Sequence, residues 1–197
     1  MNKVEEDGFM NPDRVSTLID GIFAIAMTLL ILSLEVPHIS GQLSDALILS
    51  YLYNIVSPFT SFVLSFILLA MFWTINHSQM HYIKRVDKTY LWISIILLLF
   101  IVIVPFSTEI SGMYGSFTIP QLIFNLNLLG VAILLYLSIY YSDKKMLIDD
   151  MNEDKKKSIK RSSAFFIIVA LVAVGLSFIA PSWSTIVYMA IILEKLL

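Results

Sequence analysis

Six apolar runs divide this chain, at residues 14–36, 46–80, 90–110, 119–141, 163–180 and 183–197, and the connectors between them sort by charge. The hydrocarbon core of a bilayer is about 30 Å thick and a helix rises about 1.5 Å per residue, so one crossing takes about 20 apolar residues. Counting each run as one crossing puts all 13 basic residues on one side. They are Lys3 and Arg14; Lys84, Arg85 and Lys88; Lys144, Lys145, Lys155, Lys156, Lys157, Lys160 and Arg161; and Lys195. The opposite connectors hold only Glu35, Asp45 and Glu109 as formal charges. Lysine and arginine are retained in cytoplasmic loops, so the expected topology has six transmembrane helices with both termini in the cytoplasm. Dividing 46–80 into two spans would carry Lys84, Arg85 and Lys88 to the outer side, which argues against a seventh.

Composition points the same way. Of 197 residues, 58% are apolar and 14% charged, with a mean hydropathy of +0.83. A soluble domain carries about 25% charged residues, so this chain reads as an all-α polytopic membrane protein. The net charge of −2 says little, because the charges are divided by side. The absence of cysteine excludes disulfides and thiolate metal sites. Residues 1–13 are acidic and polar, the reverse of a basic leader, so no cleavable signal peptide is expected. No internal repeat or shift of composition divides the chain, and residues 1–197 read as one helical membrane domain.

Two runs are irregular. The run 46–80 exceeds a perpendicular span and carries Pro58 among Asn54, Ser57, Thr60 and Ser61, so its first third is expected to kink or to stand above the bilayer. The run 183–197 is short and has Glu194 and Lys195 near its end; it must tilt, thin the bilayer or stop at the interface. The loop 142–162 is rich in Lys and Asp and is expected in the cytoplasm. It reads as a solvated connector or short helical extension, and more sharply as a docking site for anionic lipid headgroups.

The first run carries the most informative residues. Ile25, Leu29 and Leu32 stack along one helix face, and Leu18 and Ile22 extend that stripe toward the cytoplasm. Thr28 lies beside the stripe, the one hydroxyl deep in the run. Asp20 lies about 140° around the helix from Ile25 at roughly 100° per residue, pointing away from the stripe toward neighbouring helices. The stripe can line a pore, or it can face lipid or another helix. Asp20, an ionisable group at the start of a span, is a candidate functional residue by default. It can act as a buried acceptor that locks the first helix to a neighbour, or as a proton relay. Arg14 can snorkel to the headgroups as an interfacial anchor.

A second cluster closes the run 46–80: Trp73, Asn76, His77 and His81. Trp73 and His77 share a face and His81 continues it. The cluster suits an aromatic belt at the inner interface, or a contact between His77 and Asp20 that titrates near neutral pH. His77 and His81 could begin a zinc site, but no third ligand is apparent, and no metal is expected. No phosphate-cradling glycine loop, H-E-x-x-H sequence or arguable Ser–His–Asp arrangement is present, so no enzyme activity is expected. A basic surface for nucleic acid is absent as well.

Arg14-x-x-x-Leu18-Ile19-Asp20, followed by Gly-Ile-Phe-Ala-Ile-Ala-Met-Thr-Leu-Leu, resembles the first-helix signature of the transmembrane protein 175 family, which reads Arg, three residues, then Phe-Ser-Asp. Trp73-x-x-Asn76-His77 is similar to that family's Trp-x-x-His-His, and Pro105-Phe106-Ser-Thr108 to its Pro-Phe-x-Thr. Animal members are endolysosomal potassium channels, and bacterial members are six-helix chains. The resemblance implies a bacterial multi-pass protein of the plasma membrane, a homotetramer whose central pore is lined by the first helix. It implies a hydrophobic constriction at Ile25, Leu29 and Leu32, potassium preference at Thr28, and a polar network behind the pore built from Arg14, Asp20, Trp73 and His77. Potassium is the implied permeant species, with no cofactor. The sequence departs from the family at Leu18 for Phe, Ile19 for Ser and Asn76 for the first His, which thins the network.

Rings of Ile and Leu offer no oxygens to replace an ion's hydration shell, and the chain has no carbonyl filter of the TVGYG type. The expected activity is therefore a leak-like, weakly potassium-selective cation channel. Glu35, Asp45 and Glu109 would add an anionic outer mouth. The rivals are a proton-permeable channel, a proton-coupled secondary transporter using Asp20 and His77, and a non-conducting membrane scaffold or small membrane enzyme. The transporter would show inverted repeats or broken helices around a midplane site, and neither is visible.

Overall fold

A computed structural model describes residues 10–34, 44–148 and 151–196, with side chains up to Leu193. Lys3, Glu35, Leu197 and the end of the first run at residue 36 lie outside the described residues, as do the side chains of Glu194 and Lys195. The elements are α1 (Pro12–Leu29), continued by a 3-10 turn (Leu30–Ser33), α2 (Asp45–Asn54), α3 (Val56–Met80), α4 (Lys88–Met113), α5 (Thr118–Lys144), α6 (Glu153–Ile179), 3-10 turns Pro181–Trp183 and Ile186–Tyr188, and α7 (Met189–Leu196).

Short polar residues start these helices. Asn11 Oδ1 accepts from the backbone N–H of Asp13 at 2.9 Å, with Pro12 in the first turn of α1. Ser44 caps α2 through the Leu47 N–H at 3.3 Å. Asp87 caps α4 through the Tyr90 N–H at 2.7 Å. Asn152 caps α6 through the Asp154 N–H at 3.2 Å. Each cap satisfies one amide that the first helical turn leaves without an intrahelical acceptor.

Among the described residues, five helices are long and apolar enough to cross a membrane: α1 with its 3-10 extension, α3, α4, α5 and α6. Three of the runs and connectors take a more particular form. The run 46–80 is broken at Ile55 into α2 and α3, and Pro58 falls in the first turn of α3, where its missing N–H costs no helical bond. The loop 142–162 shrinks, because α5 runs on to Lys144 and α6 begins at Glu153. The run 183–197 is not one span-length helix: it is 3-10 winding followed by the short α7, and Pro181–Leu193 counts only as a shorter apolar segment.

α5 is the most enclosed span and packs on both α4 and α6, while α1 packs on α3 and α4 at the side of the bundle. Gly130 of α5 lets the Phe100 ring of α4 sit where a Cβ would be. Gly112 of α4 lies against Pro58, whose Cα would be 2.9 Å from an added Cβ. Small residues permit such approach, and in lipid it is close packing rather than the hydrophobic effect that holds helices together.

Buried hydroxyls and amides add polar links. Thr108 donates to Ser65 at 2.8 Å, tying α4 to α3. Ser138 donates to Gln79 Oε1 at 2.7 Å, tying α5 to α3. Asn125 of α5 is fully buried; its Nδ2 donates to Ser177 of α6 at 2.8 Å, and its Oδ1 accepts from Tyr188 OH at 3.1 Å. That last bond holds the C-terminal segment against the bundle.

Candidate functional site

α1 has two faces of different fate. Val15, Ile19, Phe23, Ala26 and Leu30 are buried against the bundle. Their spacing of four, four, three and four is one helical stripe, and it fixes the rotation of α1. The opposite side of α1 is left open in the single chain. Ile25 is 54% exposed, Leu29 40% and Leu32 69%. Leu18 and Thr28 are exposed beside them, and Ile22 is half-buried.

The 3-10 turn keeps Leu32 on this stripe. Side chains three apart fall on nearly the same side in 3-10 winding, which brings Leu32 round toward the side of Leu29, the last residue of α1. Thr28 Oγ1 donates to the carbonyl of Ile25 in the preceding turn at 2.8 Å. Its proton is thereby committed to the helix, and its lone pairs remain on the exposed face.

Asp20 lies off this stripe. Half-buried, it accepts from the indole Nε1–H of Trp73 on α3 at 2.8 Å. The Trp73 ring stacks on His77, with centroids 5.1 Å apart and planes 27° apart. Trp73 thus touches both titratable groups singled out in the sequence. His77 and Arg14 are exposed in the single chain, so within one chain the polar cluster is at most half-buried. Asn76 is buried. His81 is exposed and meets Tyr82 edge-on at 5.0 Å. Among the described residues no group of three His, Asp or Glu side chains could hold a metal.

Sequence reasoning named the exposed stripe and the acid but passed over the docking face of α1, which decides where both point. Its signal was available in the spacing of Val15, Ile19 and Phe23. Also unforeseen is an open cavity of ≈ 940 Å³, of mixed polar and apolar lining, at the end of the bundle opposite the lysines. Tyr51, Ser57, Thr60, Ser111 and Gln121 contribute to its lining. Asp45 is exposed and Glu109 half-buried at this same end.

Span-length apolar helices, an interior bonded through hydroxyls and amides, and lysines gathered at one end define a multi-pass helical membrane protein. Residues 14–105 match the family model described as endosomal/lysosomal potassium channel TMEM175. A potassium channel of Streptomyces collinus is 32% identical over 103 residues, covering 51% of this chain and 48% of its own length. A potassium channel of Chamaesiphon minutus is 30% identical over 101 residues, covering 51% and 49%. The crystal structure of a lysosomal potassium-selective channel TMEM175 homolog from Chamaesiphon minutus superposes with a TM-score of 0.77 at 23% identity, over 94% of this chain and 96% of that one. The family model matches the segment that carries most of α1 together with Trp73 and His77. The chain spans about half the length of the curated relatives it matches.

Proposed function

We propose that this chain is a subunit of a homotetrameric, leak-like cation channel with weak potassium preference, its pore lined by the exposed face of α1. Six crossings with both termini in the cytoplasm of a bacterial cell are part of this reading, the sixth made by the 3-10 turns and α7.

The observation that carries it is the division of α1: a docking face buried on α3 and α4, and a second stripe of Ile25, Leu29 and Leu32 that stays exposed among the described residues. Four such stripes about one axis would form apolar rings. Rings of this kind block ions by dewetting when narrow and pass partly hydrated ions when slightly wider. Thr28 would place four hydroxyl oxygens beside the rings, the one polar element available there for preferring potassium. The names of the curated relatives and of the superposed structure, all potassium channels, support the same activity.

A proton relay is less well supported. It would use Asp20 and His77, but the Asp20 carboxylate accepts from Trp73, and Trp73 meets His77 through its ring face, which carries no transferable proton. The reading involves no enzyme activity and no cofactor.

Flux from liposomes holding purified protein tests this, with potassium, sodium and proton gradients imposed separately. The channel reading expects uncoupled, non-saturating cation flux that rises when Ile25 or Leu29 is replaced by Ser. Strictly coupled, saturable flux would favour the carrier. A current insensitive to both substitutions would remove α1 from the pore.

A further inference from the structure

The lysine-rich end of the bundle contains a local arrangement that the sequence does not display. The connector after α3 and the turn after α5 are about sixty residues apart in sequence, yet they are joined backbone to backbone. The Lys84 N–H donates to the Leu147 carbonyl at 3.0 Å, and Ile83 pairs with Ile148 in an antiparallel bridge. Lys84 is thereby held beside the turn bearing Lys144, Lys145 and Met146, and all three lysines are exposed. Met146 is 83% exposed and has a φ of 52°. That left-handed conformation is unfavourable for a side chain with a Cβ; here it closes the turn and leaves an apolar side chain projecting beside two cations.

The acid in this turn is already engaged. Asp143 accepts from Lys160 Nζ at 2.6 Å and meets Lys156 Nζ at 3.2 Å, both on α6. Its charge is paired with these two lysines of α6. Lys156 is held further by Glu153 at 2.9 Å. Asp149 and Asp150 lie outside the described residues.

We infer that Lys84, Lys144, Lys145 and Met146 form a site for the headgroup of an anionic glycerophospholipid. The cations would meet the phosphodiester, and Met146 would enter the acyl boundary next to it. The level is appropriate: α3 and α4 meet the connector at Met80 and Lys88, and α5 ends at Lys144, so the site lies where spans reach the headgroups. Basic residues at the membrane surface attract anionic lipid, and the two tied loops convert a diffuse bias into a defined cluster. This inference rests on the membrane topology given above, not on the conduction path.

The experiment titrates purified, detergent-solubilised protein with a short-chain phosphatidylglycerol and counts bound lipid by native mass spectrometry. Phosphatidylcholine and glycerol 3-phosphate are run alongside. The expected result is saturable phosphatidylglycerol binding, with little from the other two. Lys84→Gln/Lys144→Gln/Lys145→Gln should weaken it, roughly fivefold for each lysine removed. Lys84→Arg/Lys144→Arg/Lys145→Arg should retain it, and Lys155→Gln/Lys157→Gln on α6 should leave it unchanged. Equal loss in both Gln variants would overturn the proposal in favour of a diffuse basic face. Glycerol 3-phosphate binding as tightly would make it a soluble-phosphate site, and failure of the Arg variant would show that charge is not the cause. Potassium flux in pure phosphatidylcholine liposomes keeps the channel reading separable from this one.

Discussion

The indole of Trp73 on α3 donates to the carboxylate of Asp20 on α1 at 2.8 Å. This is a side-chain hydrogen bond from the exposed helix to the rest of the bundle, and it lies on the flank that turns Ile25 and Leu29 outward. A hydrogen bond to a charged group contributes about 1.5–3 kcal/mol when well buried. Both partners here are half-buried, which places this one near the low end. Trp73→Phe should therefore lower the unfolding midpoint in detergent by the equivalent of about 1.5 kcal/mol. Asp20→Asn, which keeps an acceptor oxygen, should cost less. Equal loss in the two variants would show that the charge, not the bond, is what matters.

Thr28 is expected to affect selectivity without affecting assembly. Its hydroxyl proton is bound to the Ile25 carbonyl and its oxygen faces out. Thr28→Val removes that oxygen at nearly constant volume. The potassium-to-sodium flux ratio should fall toward unity while the particle size on gel filtration stays the same. An unchanged ratio would remove Thr28 from the conduction path.

Gly112→Ala tests a close approach of α3 and α4. The added Cβ would be 2.9 Å from Pro58 Cα and 3.4 Å from Ser61 Cβ. Backbone cannot move aside as a side-chain end can, so the helices must separate. Overpacking of this kind costs about 1–3 kcal/mol, offset by about 1 kcal/mol from the better helix propensity of Ala. A net fall in thermal stability is expected, while Gly175→Ala on α6, with nothing within 4 Å, should be neutral or slightly stabilising.

Asn125→Leu should loosen the C-terminal segment. The substitution removes the acceptor of Tyr188 OH at 3.1 Å and the donor to Ser177 at 2.8 Å and to Ser184 at 3.2 Å. Each buried polar group left unpaired costs about 1–3 kcal/mol. Limited proteolysis should then cut between Pro181 and Tyr188 at protease levels that leave the wild type intact. Resistance equal to wild type would show that apolar contacts of Tyr188 and Ile191 hold the segment by themselves.

Much of this was legible because a bilayer imposes strong rules on sequence. The apolar runs gave α1, α4 and α5 to within a few residues, since a span must hide its backbone polar groups in its own helix. Pro58 marked a disturbance in the second run, but the break falls at Ile55, because proline is at home in a first helical turn and the interruption lies ahead of it. The charged stretch before the fifth apolar run suits either a solvated connector or a helical extension; it is helical from Glu153 because Asn152 caps it and Lys156 and Lys160 reach back to Asp143 on α5. The short run 183–197 carries hydropathy but not helix length, so its winding depends on contacts such as Tyr188 with Asn125.

The sequence by itself determined which segments are apolar, which end of the bundle holds the basic residues, and that Ile25, Leu29 and Leu32 lie on one face with Asp20 off it. Those properties follow from periodicity and from the cost of placing charge in hydrocarbon. Only the tertiary structure decided which face of α1 meets the bundle, that Trp73 rather than a charged group receives Asp20, and that Lys84 stands beside Lys144 and Lys145. These depend on contacts between residues far apart in the chain, where helix rotation and backbone pairing are set by packing that no local pattern encodes.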